Sequence, residues 1–159
     1  MKTKIFASAL LSIFLASSAQ AQKKEKRESP PATSEATIGS TTVKIDYSQP
    51  SVKGRKIFGD LVPFGKIWRT GANEATTIEF SNDVMIQSKK LAAGKYSLFT
   101  IPGEKEWTII FNSVSSQWGA YRYKEDKDVL RVKAGVSSHE ATEKLSITID
   151  SKSGMIHID

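Results

Sequence analysis

The sequence predicts an all-β fold, an antiparallel β-sandwich or flattened barrel of about nine short strands. Three observations predict it. Apolar residues alternate with polar ones over short runs, as Val43, Ile45 and Tyr47 do with Lys44, Asp46 and Ser48. Clusters of Gly, Pro, Asn and Asp separate those runs. No segment sustains a helical period, and only residues 54–58 and 138–144 leave room for a short helix.

The chain opens on an expected signal peptide over residues 1–21. Lys2 and Lys4 supply a positive start, an apolar stretch runs from Ile5 to Ala16, and Ala19-Gln20-Ala21 fits the small-residue cleavage pattern. The apolar run is too short for a comfortable membrane span, so no integral membrane segment is expected after cleavage. Residues 22–36 are expected to be a disordered linker: they hold mixed charge and two prolines and lack an apolar period. A single β domain is expected over residues 37–159. The expected leader implies a mature protein in the periplasm or outside the cell.

The first strand, around residues 43–47, ends at Pro50. Residues 76–81 place Ile78 and Phe80 on one face, and the turn residues Ser81-Asn82-Asp83 lead into 84–88, which predicts a hairpin. Residues 95–102 are apolar on both faces, which predicts a central strand covered twice. Pro102-Gly103-Glu104-Lys105 turns into 106–112, a second hairpin. Trp107 alternates there with Ile109 and Phe111, a core pattern. Segments 119–123, 129–133, 143–150 and 155–159 complete the strand set.

Composition excludes several functions. There is no Cys, hence no disulfide, thiolate nucleophile or zinc–sulfur site. Removing the 21-residue leader from 159 residues leaves 138, with 21 basic and 17 acidic residues, a balance of +4. These charges are interleaved, with no basic stripe among stacked aromatics, so nucleic acid is not an expected partner. His139 and His157 do not share a ligating spacing and read as surface residues. Segment 125–128 lacks the glycine and terminal Glu of a calcium loop. Residues 59–67, Gly-Asp-Leu-Val-Pro-Phe-Gly-Lys-Ile, are one residue too long for a phosphate loop and end in Ile rather than Ser or Thr. No metal and no cofactor is called for, and the sequence sets no oligomeric state.

Binding chemistry concentrates in Trp68-Arg69-Thr70-Gly71-Ala72-Asn73-Glu74. The Arg guanidinium matches two oxygens at once. The Trp face suits a sugar ring or a cation, and Gly71 permits close backbone approach. Trp118 is a candidate opposing wall. The ligand-binding candidates are therefore Trp68, Arg69, Asn73, Glu74 and Trp118. A competing reading has Arg69 and Glu74 pair with each other and Trp68 enter the core. Lys53-Gly54-Arg55-Lys56 is a basic turn, either solvated or an anion contact. No catalytic residue is assigned. The enzyme alternative is a hydrolase with Glu74 as base or nucleophile; Glu79 would face the other side of a shared strand, and a nearby Arg69 would lower the Glu74 pKa.

Five segments carry a resemblance: 47–59, Tyr-Ser-Gln-Pro-Ser-Val-Lys-Gly-Arg-Lys-Ile-Phe-Gly; 68–76, Trp-Arg-Thr-Gly-Ala-Asn-Glu-Ala-Thr; 94–102, Gly-Lys-Tyr-Ser-Leu-Phe-Thr-Ile-Pro; 117–120, Gln-Trp-Gly-Ala; and 128–131, Asp-Val-Leu-Arg. Across residues 42–149 the chain resembles the exported bacterial family catalogued as domain of unknown function 2911. The resemblance implies an envelope or secreted β domain and no set activity. Members continue past the strand at Met155 with a further Trp-bearing strand, whereas this sequence stops at Asp159, so either the last sheet edge is incomplete or the chain is a short variant. Three functions fit: a module binding a small polar or carbohydrate ligand, the Glu74 hydrolase, and a structural or assembly protein of the envelope.

Overall fold

A computed structural model describes residues 27–159. The expected leader and the first residues of the expected linker lie outside the described residues. Ten strands form antiparallel sheets: β1 (Pro31–Ile38), β2 (Thr41–Ser48), β3 (Thr77–Phe80), β4 (Val84–Ile86), β5 (Lys89–Leu91), β6 (Gly94–Ile101), β7 (Glu106–Asn112), β8 (Asp128–Gly135), β9 (Ile147–Ile149) and β10 (Ile156–Ile158). Six of them form one sheet in the order β1-β2-β3-β6-β7-β8, while β4–β5 and β9–β10 are separate hairpins. The sheets do not close, which settles the sandwich against the barrel. The only helix among the described residues is one 3-10 turn at Glu125–Lys127, so segments 54–58 and 138–144 form none. None of the described helices is long and apolar enough to cross a membrane.

Strand alternation produces the two faces of the large sheet. In β2 the residues Val43, Ile45 and Tyr47 point inward, and register aligns Val43 with Phe80 and Ile45 with Ile78. The row continues into Tyr96 and Leu98 of β6 and Phe111 of β7. Both small hairpins cover this face: Val84, Ile86 and Leu91 from β4–β5, and Ile147, Ile149 and Ile158 from β9–β10. On the opposite face Phe99 and Ile110 are fully buried beneath Ile67, Ala75, Ala120 and Tyr123 from loops. β6 is thus central and covered on both sides, as its doubly apolar text predicts.

Three expectations change. Residues 31–36, expected in the linker, form most of β1. That strand pairs along all of β2 and turns Ala32 and Ile38 toward the core, and small inward residues such as Ser34 and Ala36 hide its alternation. The expected hairpin of 76–81 with 84–88 does not form. β4 pairs with β5 instead, because Asp83 accepts a hydrogen bond from the Ala93 amide at 2.9 Å and binds Lys90 at 2.8 Å, closing a local hairpin over the core. Residues 119–123 are turns rather than a strand; Gly119 sits at φ 63°, and these turns lay Ala120 and Tyr123 over Phe99.

Candidate functional site

Trp68 extends the main sheet beyond the end of β3. Its amide donates to the Thr100 carbonyl at 2.7 Å and its carbonyl accepts from the Thr100 amide at 2.9 Å. This pairing fixes the ring among aromatics: Phe58 and Trp107 meet it edge-on at centroid separations of 5.7 and 6.1 Å, and meet each other at 4.8 Å. Trp68 is half-buried and touches the main core, while still lining a cleft.

The chain then turns sharply. Thr70 has φ 56° and Asn73 φ 58°, left-handed values that a β-branched Thr rarely adopts. Such strain costs on the order of 1–3 kcal/mol and persists only where surroundings enforce it. Here the Thr76 hydroxyl donates to the Thr70 carbonyl at 2.8 Å, and the Thr70 and Thr100 hydroxyls are bonded at 3.1 Å, both inside the protein. Gly71 is required for a different reason. A Cβ on it would lie 3.1 Å from the Ser48 carbonyl oxygen and 3.1 Å from Thr76 Oγ1.

The cleft beside this turn encloses about 890 Å³, within the 300–1,000 Å³ common for ligand sites. Trp68, Arg69, Gly71 and Ala72 form one wall. Segments 50–53 and 143–145 form the other, held together by the Ser51–Lys144 bridge and by bonds from the Val52 amide to Glu143 and the Leu145 amide to Pro50. Arg69 stands out here. Its Nε is buried and has no hydrogen-bond partner, and no carboxylate among the described residues lies within ion-pair distance of its guanidinium. Burial of a donor without an acceptor costs about 1–3 kcal/mol.

The remaining predicted site residues lie elsewhere. Asn73 donates from Nδ2 to the Ser29 carbonyl at 3.1 Å and the Ser48 hydroxyl at 3.3 Å, so its amide anchors the N-terminal segment. Glu74 is exposed and pairs with Arg27 at 2.8 Å, not with Arg69. Trp118 bridges Glu74 through its backbone, but the residue is 57% exposed and does not line the cleft. Of the five candidates the structure brings Trp68 and Arg69 together in the cleft and leaves Asn73, Glu74 and Trp118 outside it. Lys53, Arg55 and Lys144 join the cleft rim. The basic turn at 53–56 signalled the first two in the sequence; Lys144 had no local signal.

Residues 29–159 match the family model described as Protein of unknown function (DUF2911). The chain belongs to that family. No curated protein and no solved structure matches it. A second polar cluster in this DUF2911 domain, missed in the sequence, lies away from the cleft. Asp128, whose side chain is 6% exposed, accepts from Tyr123 at 2.6 Å, from Arg131 Nε at 2.8 Å and from Asn112 Nδ2 at 2.7 Å. The Arg131 Nη2 donates in turn to the Tyr123 oxygen at 2.6 Å. Burial and the bond to Asp128 push the Tyr123 phenol up to about 12. A register shift at Phe111/Asn112 sets Asn112 opposite Asp128, and Asp-x-x-Arg spacing in a regular strand would have split the pair between faces.

Proposed function

We propose that this DUF2911 domain is an exported binding module that holds a small polar, glycan-like ligand of the cell envelope in the cleft between Trp68–Ala72 and the 50–53/143–145 pair. One observation carries the reading: Arg69 lines the cleft, and its guanidinium has no carboxylate partner among the described residues. A ligand oxygen on the outer guanidinium nitrogens would supply the acceptor that the protein does not. The immobilised Trp68 ring supplies a flat apolar surface for a sugar face, at little entropic cost because Phe58 and Trp107 already hold it. The left-handed Thr70 and the crowded Gly71 fix the Arg69 backbone, and strain of this kind gathers at ligand sites. Glu74 is occupied by Arg27 and stands outside the cleft lining, which favours the module over the Glu74 hydrolase.

The test pairs stability with binding. Arg69→Ala and Trp68→Phe are expected to melt near the unaltered protein and to lose binding to one or more members of a panel of cell-wall sugars and peptides. If no panel member binds and both variants melt far lower, the loop merely braces the fold. The exported part is checked by fractionation and mass spectrometry of the mature chain, which should begin at Gln22 in the periplasm or the medium.

A further inference from the structure

We infer that the cleft ligand carries an oxyanion, a carboxylate or a phosphate or sulfate ester, and that Arg69 is its seat. This rests on the proposed function and narrows it from a polar ligand to an acidic one. Four cationic side chains line the cleft, Lys53, Arg55, Arg69 and Lys144, against two carboxylates, Glu28 and Asp159. Glu28 and Lys53 pair with each other at 2.9 Å, which leaves Arg55, Arg69 and Lys144 against Asp159, whose carboxylate lies 3.5 Å from His139. Arg55 spends its donors on the Ser51 and Val52 carbonyls at 2.6 and 3.0 Å, which holds its charge at the rim. Arg69 and Lys144 have no acidic partner among the described residues.

A neutral sugar hydroxyl could accept one N–H bond from the Arg69 guanidinium. It would leave the rest of the planar fork and the surplus of positive charge uncompensated. An oxyanion matches both, because its paired oxygens accept two parallel N–H bonds and its charge balances the rim. The contrast with Arg131 is internal evidence. At Arg131 the fold supplies a carboxylate, Asp128, at 2.8 Å, and at Arg55 two backbone carbonyls; at Arg69 it supplies no carboxylate.

The test measures binding of glucose, glucuronate, glucose 6-phosphate and inorganic phosphate to the protein by calorimetry, with the Arg69 Nε–H proton followed by NMR. Glucuronate or glucose 6-phosphate is expected to bind at least about tenfold tighter than glucose. The Arg69 Nε–H signal should shift as the guanidinium takes up its counter-charge, and the advantage should shrink as salt is added. Arg69→Lys should keep part of that advantage and Arg69→Gln should remove it. Glucuronate and glucose 6-phosphate separate a carboxylate from a phosphate ester, and inorganic phosphate shows whether the sugar body is needed. Equal binding of glucose and glucuronate would overturn the acidic ligand while leaving a polar-ligand module intact. Binding of acids with an unmoved Nε–H signal and no effect of Arg69→Gln would overturn Arg69 as the seat. Absence of binding by all four, together with a negative envelope panel, would remove both readings.

Discussion

Arg69 and Arg131 are two arginines at the margins of one sandwich, and their surroundings are opposites. Arg131 has a carboxylate, a phenol oxygen and a second acid, Glu125 at 3.1 Å, within reach. Burial pulls its pKa down, but the bonds to Asp128 and Tyr123 more than offset this and leave the pKa raised. Arg69 has a buried Nε without an acceptor. Evolution builds complete networks around structural charges because an incomplete one is worse than an apolar side chain. A fold that completes one arginine and leaves the other open points to what the second awaits.

The same substitution in both positions should separate them most. Arg131→Met removes the counter-charge of Asp128, an almost fully enclosed carboxylate left with only the neutral donors Tyr123 and Asn112, and is expected to destabilise by about 3 kcal/mol. In a domain of this size that lowers Tm by on the order of 10 °C. Arg69→Met removes an orphaned donor and keeps much of the stem volume, so Tm should hold or rise by up to about 1 kcal/mol equivalent. Equal losses in the two variants, read by differential scanning calorimetry, would dissolve the contrast.

Gly71→Ala probes the support behind Arg69. The new methyl meets the Ser48 carbonyl oxygen, which also accepts from the Ala72 amide, so the turn must shift. The expected cost is about 1–2 kcal/mol. Ligand affinity should fall even at temperatures where the protein stays folded, because the Arg69 wall moves.

Tyr123→Phe tests the completed side. It removes one donor to Asp128 and one acceptor for Arg131 but leaves that pair intact, a loss of about 1 kcal/mol at neutral pH. The phenol titrates near 10 when unfolded and near 12 in the fold, so the fold holds the proton more tightly. Its contribution is complete below pH 10 and disappears as pH rises toward 12. Denaturant melts across that window should show the unaltered protein losing its advantage over Tyr123→Phe. A constant gap would mean the phenol does not titrate with folding.

How much of this was legible in the sequence follows from where the constraints are local. β2, β6 and β7 announced themselves because burial writes a period-2 pattern into adjacent residues. β1 reads as linker, since an edge strand with Ala and Ser inward needs little apolar text. The turn at 81–83 is legible and the strand pairing after it is not, as pairing depends on which segment covers the core. Trp68 and Arg69 were named from residue chemistry alone. The fates of Asn73 and Glu74 were set by Ser29 and Arg27, more than 40 positions away, and the basic rim needed 50–53 to meet 143–145. No local pattern encodes such meetings.

Glu74→Gln is expected to have the smallest effect, and it bears on the site itself. The Arg27–Glu74 pair has both side chains about half exposed, so it contributes about 0.5 kcal/mol or less and is screened by salt. The N-terminal segment keeps its other ties, Asn73 to the Ser29 carbonyl and the Gln49 amide to Pro30. Tm should therefore move by no more than about 2 °C, and less at high salt. Affinity for the cleft ligand should be unchanged, because Glu74 does not line the cleft. A Glu74→Gln variant that folds normally yet loses binding, or that abolishes turnover of any panel member, would transfer the site from the Arg69 wall to the 73–74 loop. The open arginine would then be an unfilled corner of the fold, and the contrast with Arg131 would carry no functional meaning.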